Sequence, residues 1–153
     1  MISVVIPIYN TSPAHFKECV DSILDQTLSN FEVLVVDNGS REEYFREYEQ
    51  ICKDSRIHLH KIERIEGMKN LSRAVNYGIK FSKFDFVARM DADDVMVKDR
   101  LEKQVNECNF DVFKAINEDG RDEGIIDDIR DLRRYLFLVE AEMVLRSNGR
   151  KQK

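Results

Sequence analysis

The chain has little cysteine, no long apolar run and no excess of basic residues, and each shortage removes a class of protein. Its 153 residues include three cysteines, Cys19, Cys52 and Cys108. They are widely spaced and contain no C-x-x-C pair, so neither a disulfide framework nor a zinc site is expected. Reduced thiols in a cytosolic protein fit better. The start, Met1-Ile2-Ser3-Val4-Val5-Ile6-Pro7, is apolar but far too short to span a bilayer, and no basic segment leads into it. Neither a signal peptide nor a transmembrane helix is expected. Lys and Arg number 24 against 29 Asp and Glu, a formal net charge of -5. Such mild acidity gives no reason to expect nucleic acid as a partner. A phosphate ligand would need a bridging cation or a local cluster of donors. Internal repeats and low-complexity segments are also missing.

Hydrophobic residues make up 42% of the chain, enough for one domain with its own core. An apolar, β-branched run at 2–9 suits a strand buried on both faces. Ser12 and Pro13 then supply a helix start, with Ser12 as N-cap and Pro13 at the first helical position. Phe16, Cys19, Val20, Ile23 and Leu24 continue at helical spacing, so a helix is predicted over 13–26. A second strand, Phe31 to Val36, runs into Asp37-Asn38-Gly39-Ser40, where Ser40 can cap a helix over 41–53. A third strand is predicted at 57–62, a helix at 70–82 and a fourth strand at 84–90. His58 and His60 share one face of the third strand and read as surface residues. The alternation of strands and helices predicts an α/β domain with a mostly parallel sheet and right-handed crossovers.

Beyond residue 110 the pattern changes. Residues 1–110 read as the α/β domain, 111–124 as a charged loop, 125–146 as an amphipathic helix and 147–153 as a basic tail. Ile125, Ile129, Leu132, Leu136, Val139 and Met143 form a heptad-like seam. That seam packs on the domain's own sheet or pairs with another subunit; the spacing leaves both open. The tail is expected to fray, and its basic residues can touch an anionic membrane surface.

In parallel sheets, ligands sit beyond the carboxyl ends of the strands. Three such ends carry polar residues here: Tyr9-Asn10, Asp37-Asn38-Gly39-Ser40 and Asp91-Ala92-Asp93-Asp94. The pair Asp91 and Asp93 suits a hard divalent cation, Mn²⁺ or Mg²⁺, which takes one or two carboxylates and fills its other positions with phosphate oxygens and water. Asp37 can accept from a pyrimidine N–H or a ribose hydroxyl, or it can simply cap the next helix. Tyr9 can stack on a base, and Arg73 can reach a phosphate. Receiver-like and phosphatase-like uses of aspartate with Mg²⁺ fit poorly. The first strand ends in Tyr9-Asn10 rather than an acidic pair, and no Thr follows Asp91-Ala92-Asp93-Asp94.

Taken together, these segments resemble the family 2 glycosyltransferases. The matching stretches are Val4 to Asn10, Asp25-Gln26-Thr27 before Phe31 to Ser40, Leu71 to Ile79, and Phe86 to Asp94 followed by Asp99-Arg100-Leu101-Glu102-Lys103-Gln104. The resemblance covers residues 2–105. It implies a GT-A fold, a Rossmann-like parallel sheet with flanking helices, here ending in a C-terminal helix. It also implies transfer of a sugar from a nucleoside-diphosphate sugar, commonly a UDP-sugar, to an acceptor hydroxyl with inversion and metal assistance, as in polysaccharide biosynthesis. Pro7, Tyr9 and Asp37 would line the nucleoside pocket, with Asn10 and Ala92 in the same motifs. Arg73 and Asn76 would lie near the donor's phosphates and sugar. Asp91 would face the ribose or sugar, and Asp91 with Asp93 would hold the metal. Gly67-Met68-Lys69-Asn70 departs from the family's Asn-x-Gly turn. The family's catalytic base and acceptor site normally follow further strands downstream of the D-x-D, whereas residues 95–153 read as helix and loop. No catalytic residue is therefore assigned. The alternative to a transferase is a truncated or degenerate nucleotide-sugar-binding module, inactive alone or completed by a partner through 125–146. A cytoplasmic protein is expected, with the inner face of the membrane as a possible station.

Overall fold

The structure, a computed structural model, describes residues 1–66 and 70–107. The predicted loop 111–124, the helix 125–146 and the tail lie outside the described residues. The chain forms two units, Met1–Leu101 and Glu102–Lys153. Of the second, only residues 102–107 are described, and they are helical.

The first unit runs β1 (Ile2–Ile8), α1 (Pro13–Leu24), β2 (Phe31–Asp37), α2 (Glu42–Ile51), β3 (Ile57–Lys61), α3 (Asn70–Phe81) and β4 (Phe86–Arg89). The strands form one sheet in the order β3-β2-β1-β4, and every pairing is parallel. This is the α/β architecture that the alternating pattern predicted. All residues of β1 and β2 are buried, which is why both read as nearly continuous apolar runs rather than alternating ones.

The chain first steps from β1 out to β3, then returns across the sheet to β4. With right-handed crossovers this reversal puts α3 on the face opposite α1 and α2. α1 packs against α2, with Phe16 edge-on to Tyr48 at 5.1 Å between ring centres. α3 packs against β1 and β2, where Val36, Ile62 and Ala74 form a core cluster beside Tyr77. Gly78 brings α3 against Val5 so closely that a Cβ there would lie 2.4 Å from Val5 Cγ1.

Ser12 stands at the N-cap of α1 as expected, though without a side-chain cap bond, whereas α2 is capped by Arg41 rather than Ser40. The Ser40 hydroxyl is taken by the backbone N–H of Asn10 at 2.9 Å, so it serves the neighbouring strand end instead of its own helix. His58 and His60 are both partly exposed. His60 packs against the Tyr77 and Phe81 rings of α3. Burial, with a smaller push from His58, holds the His60 imidazole below its ordinary value.

Candidate functional site

Parallel pairing carries the ends of β1, β2 and β4 to one edge of the sheet. The β1–β4 ladder stops at Val5 opposite Arg89, with one more bond from Met90 N to Val5 O. The β1–β2 ladder continues to Ile8 opposite Asp37. The last three residues of β1 therefore have β2 on one side and no described strand on the other. Val5 directs its carbonyl toward β4, so Pro7, two residues on, has its missing N–H on that same open side. A proline in a central strand costs no ladder bond at this place. The opening lies where the strand order reverses, the position where open α/β sheets bind ligands.

Two tight turns shape the rim. Asn10 takes a left-handed conformation, φ 48°, which asparagine tolerates better than most residues. Its backbone N–H donates to Ser40 Oγ, and its side-chain oxygen accepts from the Arg41 N–H, both at 2.9 Å. The end of β1 is thus stitched to the end of β2. Asp37 is fully buried, and both its carboxylate oxygens accept from the Ser40 N–H, at 3.1 and 3.3 Å. A carboxylate has more acceptor capacity than one N–H uses. From α2, the Tyr48 hydroxyl donates to the Thr11 carbonyl at 2.8 Å. Burial, with the Ser40 hydrogen bond opposing and the Asp37 charge assisting, pushes this phenol up to about 12.

The acidic loop after β4 is anchored by α1 and the residues just beyond it. The Cys19 thiol donates to the Asp91 carbonyl at 3.5 Å, and Ser22 Oγ accepts from the Met96 N–H at 3.0 Å. Gln26 is buried and bridges the following segment. Its amide nitrogen donates to the Val97 carbonyl at 2.7 Å, and its oxygen accepts from the Leu101 N–H at 3.0 Å. Burial, then the nearby Asp94, Asp93 and Asp91, push the Cys19 thiol up to about 12. Three carboxylates thus act together on one point. Within the loop, Asp91 is held by Arg89 at 2.5 Å, Ala92 is buried and Asp93 is exposed.

These residues satisfy the chemistry of a hard cation only in its open form. Among the described residues, no three acidic, His or Cys side chains gather into a closed cage. Asp93, exposed beside Asp91, offers the one or two carboxylates that Mg²⁺ or Mn²⁺ takes when a ligand's phosphates complete its shell.

The structure draws the other candidates together unevenly. Tyr9 is 44% exposed at the tip of β1, and Pro7 is buried just behind it. On α3, Arg73 points its guanidinium at the Glu63 carbonyl, and Asn76, one turn further on, is exposed. Two residues stand out that the spacing of the sequence did not single out. Gln26 carries the tie just described, a role that becomes visible only once segment 97–101 is seen beside α1. Arg64 lies on the loop after β3 with its guanidinium 3.9 Å from the centre of the Tyr9 ring. No periodicity marks a loop residue.

The family described as glycosyl transferase family 2 matches residues 3–117 of this chain. The glycosyltransferase GlyG of Streptococcus pneumoniae is 36% identical over 120 residues, 73% of this chain and 37% of that one. S. aureus TarS 1-349 in complex with UDP-GlcNAc superposes with a TM-score of 0.58 at 25% identity, over 71% of this chain and 32% of that chain. The mannosyltransferase PcManGT of Pyrobaculum calidifontis, in complex with GDP-Man and Mn²⁺, does so with a TM-score of 0.58 at 25% identity, over 68% and 31%. The chain spans 20% and 37% of the length of two of the curated relatives it matches. A match over residues 3–117, on a parallel sheet of the GT-A kind, shows that the chain belongs to glycosyl transferase family 2.

Proposed function

We propose that this chain is the donor-binding part of a glycosyltransferase that moves a sugar from a UDP-sugar to an acceptor hydroxyl with inversion, in the building of a polysaccharide. The observation that carries the reading is that the polar ends of β1, β2 and β4, Tyr9-Asn10, Asp37 to Ser40 and Asp91 to Asp94, lie along one edge of the parallel sheet. Support for a nucleotide-sugar donor comes from neighbours solved with UDP-GlcNAc and with GDP-Man and Mn²⁺.

In this reading Pro7, Tyr9 and Asn10 form one wall of the nucleoside pocket, and Asp37 accepts from the base or ribose. Arg73 and Asn76 serve the phosphate and sugar side, and Ala92 lets the donor approach the acidic loop. Asp93, with Asp91, holds a Mn²⁺ or Mg²⁺ ion, which would neutralise charge on the departing diphosphate. The exposure of Asp93 and the pairing of Asp91 with Arg89 support this reading. In-line attack by the acceptor needs a carboxylate base on the opposite side, and none of the residues above has that place.

No helix among the described residues is long and apolar enough to cross a membrane.

Thermal unfolding of the purified chain with UDP, with and without Mn²⁺, tests the site, with ADP and GDP as controls. A ligand that binds the native state raises the midpoint. A rise with UDP that grows with Mn²⁺ is expected. A folded sample that responds to no nucleotide would reject the donor site.

A further inference from the structure

The edge of the sheet away from the polar strand ends carries a second cluster of titratable groups. Strand alternation turns His58 and His60 of β3 to one face, the face on which α3 packs. His60 sits against the Tyr77 and Phe81 rings of α3, at 5.5 and 5.9 Å between ring centres. His58 Nε2 lies 3.4 Å from Lys83 Nζ and 3.7 Å from Glu32 Oε2. Lys83 stands just beyond α3, on the connection to β4, and its Nζ is 3.4 Å from the same Glu32 oxygen. Its backbone N–H donates to Glu32 Oε1 at 2.6 Å, and the next N–H, of Phe84, donates to Ser3 Oγ at 3.2 Å. The C-terminal end of α3 is thus fastened to β1, β2 and β3 beside two histidines. Tyr77 and Lys80 of α3 also belong to this corner, with Lys80 Nζ 5.9 Å from the centre of the Phe81 ring, and the connection carries Asp85. Lys61, further along β3, is engaged instead with Glu42 and Phe45 of α2.

We propose that His58 and His60 form a proton-operated clasp, which holds the C-terminal end of α3 on the sheet while both rings are neutral and releases it when they take up protons. The clasp does not depend on a nucleotide donor. Without a proton, His58 Nε2 accepts from Lys83. A doubly protonated ring carries a hydrogen on that nitrogen and can only donate. It then turns to the Glu32 oxygen and faces the Lys83 ammonium as a like charge. At His60 an imidazolium meets two rings in a half-buried slot. A cation gains something from an aromatic face. Burial outweighs that gain, His58 adds repulsion, and the imidazole is held below its ordinary 6.5. A lowered folded value means that the released form binds protons more readily, so stability present above pH 6.5 is lost as the pH falls towards the folded value. Glu32 stays charged through that range, because its carboxyl is held below its ordinary 4.5. The histidines therefore charge first, while the carboxylate between them and Lys83 is unchanged.

Amide hydrogen exchange of the full chain at pH 7.5 and pH 5.5 (roughly a unit either side of the ordinary histidine value), corrected for the intrinsic rate, tests the clasp. The Lys83 and Phe84 amides are the reporters, since they make the ties to Glu32 and Ser3. Their protection should fall about tenfold at the lower pH, the effect of one pKa unit, while the amides of β1 and β2 change far less. The double variant His58→Gln, His60→Phe should remove the loss. Glutamine still accepts from Lys83, phenylalanine fills the slot, and neither takes up a proton. Unchanged protection in the parent would overturn the proposal, and so would an equal loss across the whole sheet, which would mean that acid acts on the entire fold. A loss that survives in the double variant would overturn it too, because the proton would then be taken up elsewhere, as at His15 of α1. NMR titration of the parent gives a second test that needs no variant to fold. The Lys83 and Phe84 amide signals should move together with the imidazole signals of His58 and His60. Amide signals that stay still while both rings titrate would refute the clasp.

Discussion

Gly78 and Val5 touch without a side chain between them: a Cβ on Gly78 would stand 2.4 Å from Val5 Cγ1 and 3.0 Å from Cγ2. Val5 is completely buried and sits in the central strand, so it cannot move aside cheaply. Gly78→Ala gains a little helix propensity, up to about 1 kcal/mol. The clash should outweigh that gain and leave a net loss of about 1–2 kcal/mol. Urea unfolding of Gly78→Ala, Val5→Ala and the double variant checks this. The double variant should be more stable than the sum of the single effects predicts. Simple additivity would mean the helix shifts as a body instead.

Gln26 serves two backbone groups that lie far away in sequence, the Val97 carbonyl and the Leu101 N–H. Gln26→Leu keeps the volume and strands the Leu101 N–H, while the Val97 carbonyl keeps its bond from the Arg100 N–H. An unsatisfied buried group costs about 1–3 kcal/mol, so a loss of that size is expected. Amide exchange at Leu101 should accelerate by more than the global loss accounts for. Protection of Leu101 that falls only in step with overall stability would show that the tie does not act locally.

Glu32 is a buried acid at the opposite edge of the sheet. Burial alone would raise its pKa. Hydrogen bonds from the Lys83 N–H at 2.6 Å and the Ser3 hydroxyl at 2.7 Å, with the Lys83 charge, outweigh it and hold the carboxyl below its ordinary 4.5. A lowered folded value means stability that is present above the unfolded pKa and lost as the pH falls through the folded one. Glu32→Gln should therefore cost about 1–2 kcal/mol at pH 7 and progressively less below about pH 4.5, near the ordinary carboxylate value. Urea midpoints of parent and variant from pH 7 to pH 3.5 measure this. A gap that stays constant over that range would show that the charge of Glu32 contributes nothing.

Asp93 and Asp91 should separate binding from stability. Asp93 is exposed, so Asp93→Ala should change the unfolding free energy by less than about 0.5 kcal/mol. It should also abolish the strengthening of UDP binding by Mn²⁺. Asp91→Asn breaks the ion pair with Arg89, whose side chains are 29% and 27% exposed. It should weaken both nucleotide binding and, by up to about 1 kcal/mol, the fold. Titration of UDP with and without Mn²⁺, beside urea unfolding, checks both variants. Undiminished Mn²⁺ dependence in Asp93→Ala would remove the metal role assigned to it.

The elements of the first unit were legible because their signals are local. Ile2 to Ile8 and Phe31 to Asp37 are nearly continuous apolar runs, broken only by Ser3 in the first and by Glu32 before the closing Asp37 in the second, and Phe16, Cys19, Val20 and Ile23 repeat at helical spacing and prove buried. The three polar strand ends followed from parallel pairing alone. What stayed hidden depends on contacts between distant segments. Ser40 reads as a helix cap until Asn10 is seen to claim its hydroxyl. His60 reads as a surface residue until α3 lays Tyr77 and Phe81 beside it. Arg64 carries no signal at all, because its partner Tyr9 lies on another strand end.

The pairing of β4 with β1 has a temporal consequence. Residues 86–89 must find residues 2–5 across most of the unit, and closing so long a loop is slow compared with forming the local β1-α1-β2 segment. Among the described residues β4 is also an outermost strand with a single neighbour. The acidic loop follows this strand directly and is also tied to α1 through Cys19 and Ser22, so opening of this edge would disturb it. A bound donor would therefore act as a lock on the final seam of the sheet, slowing its opening more than that of β1 and β2.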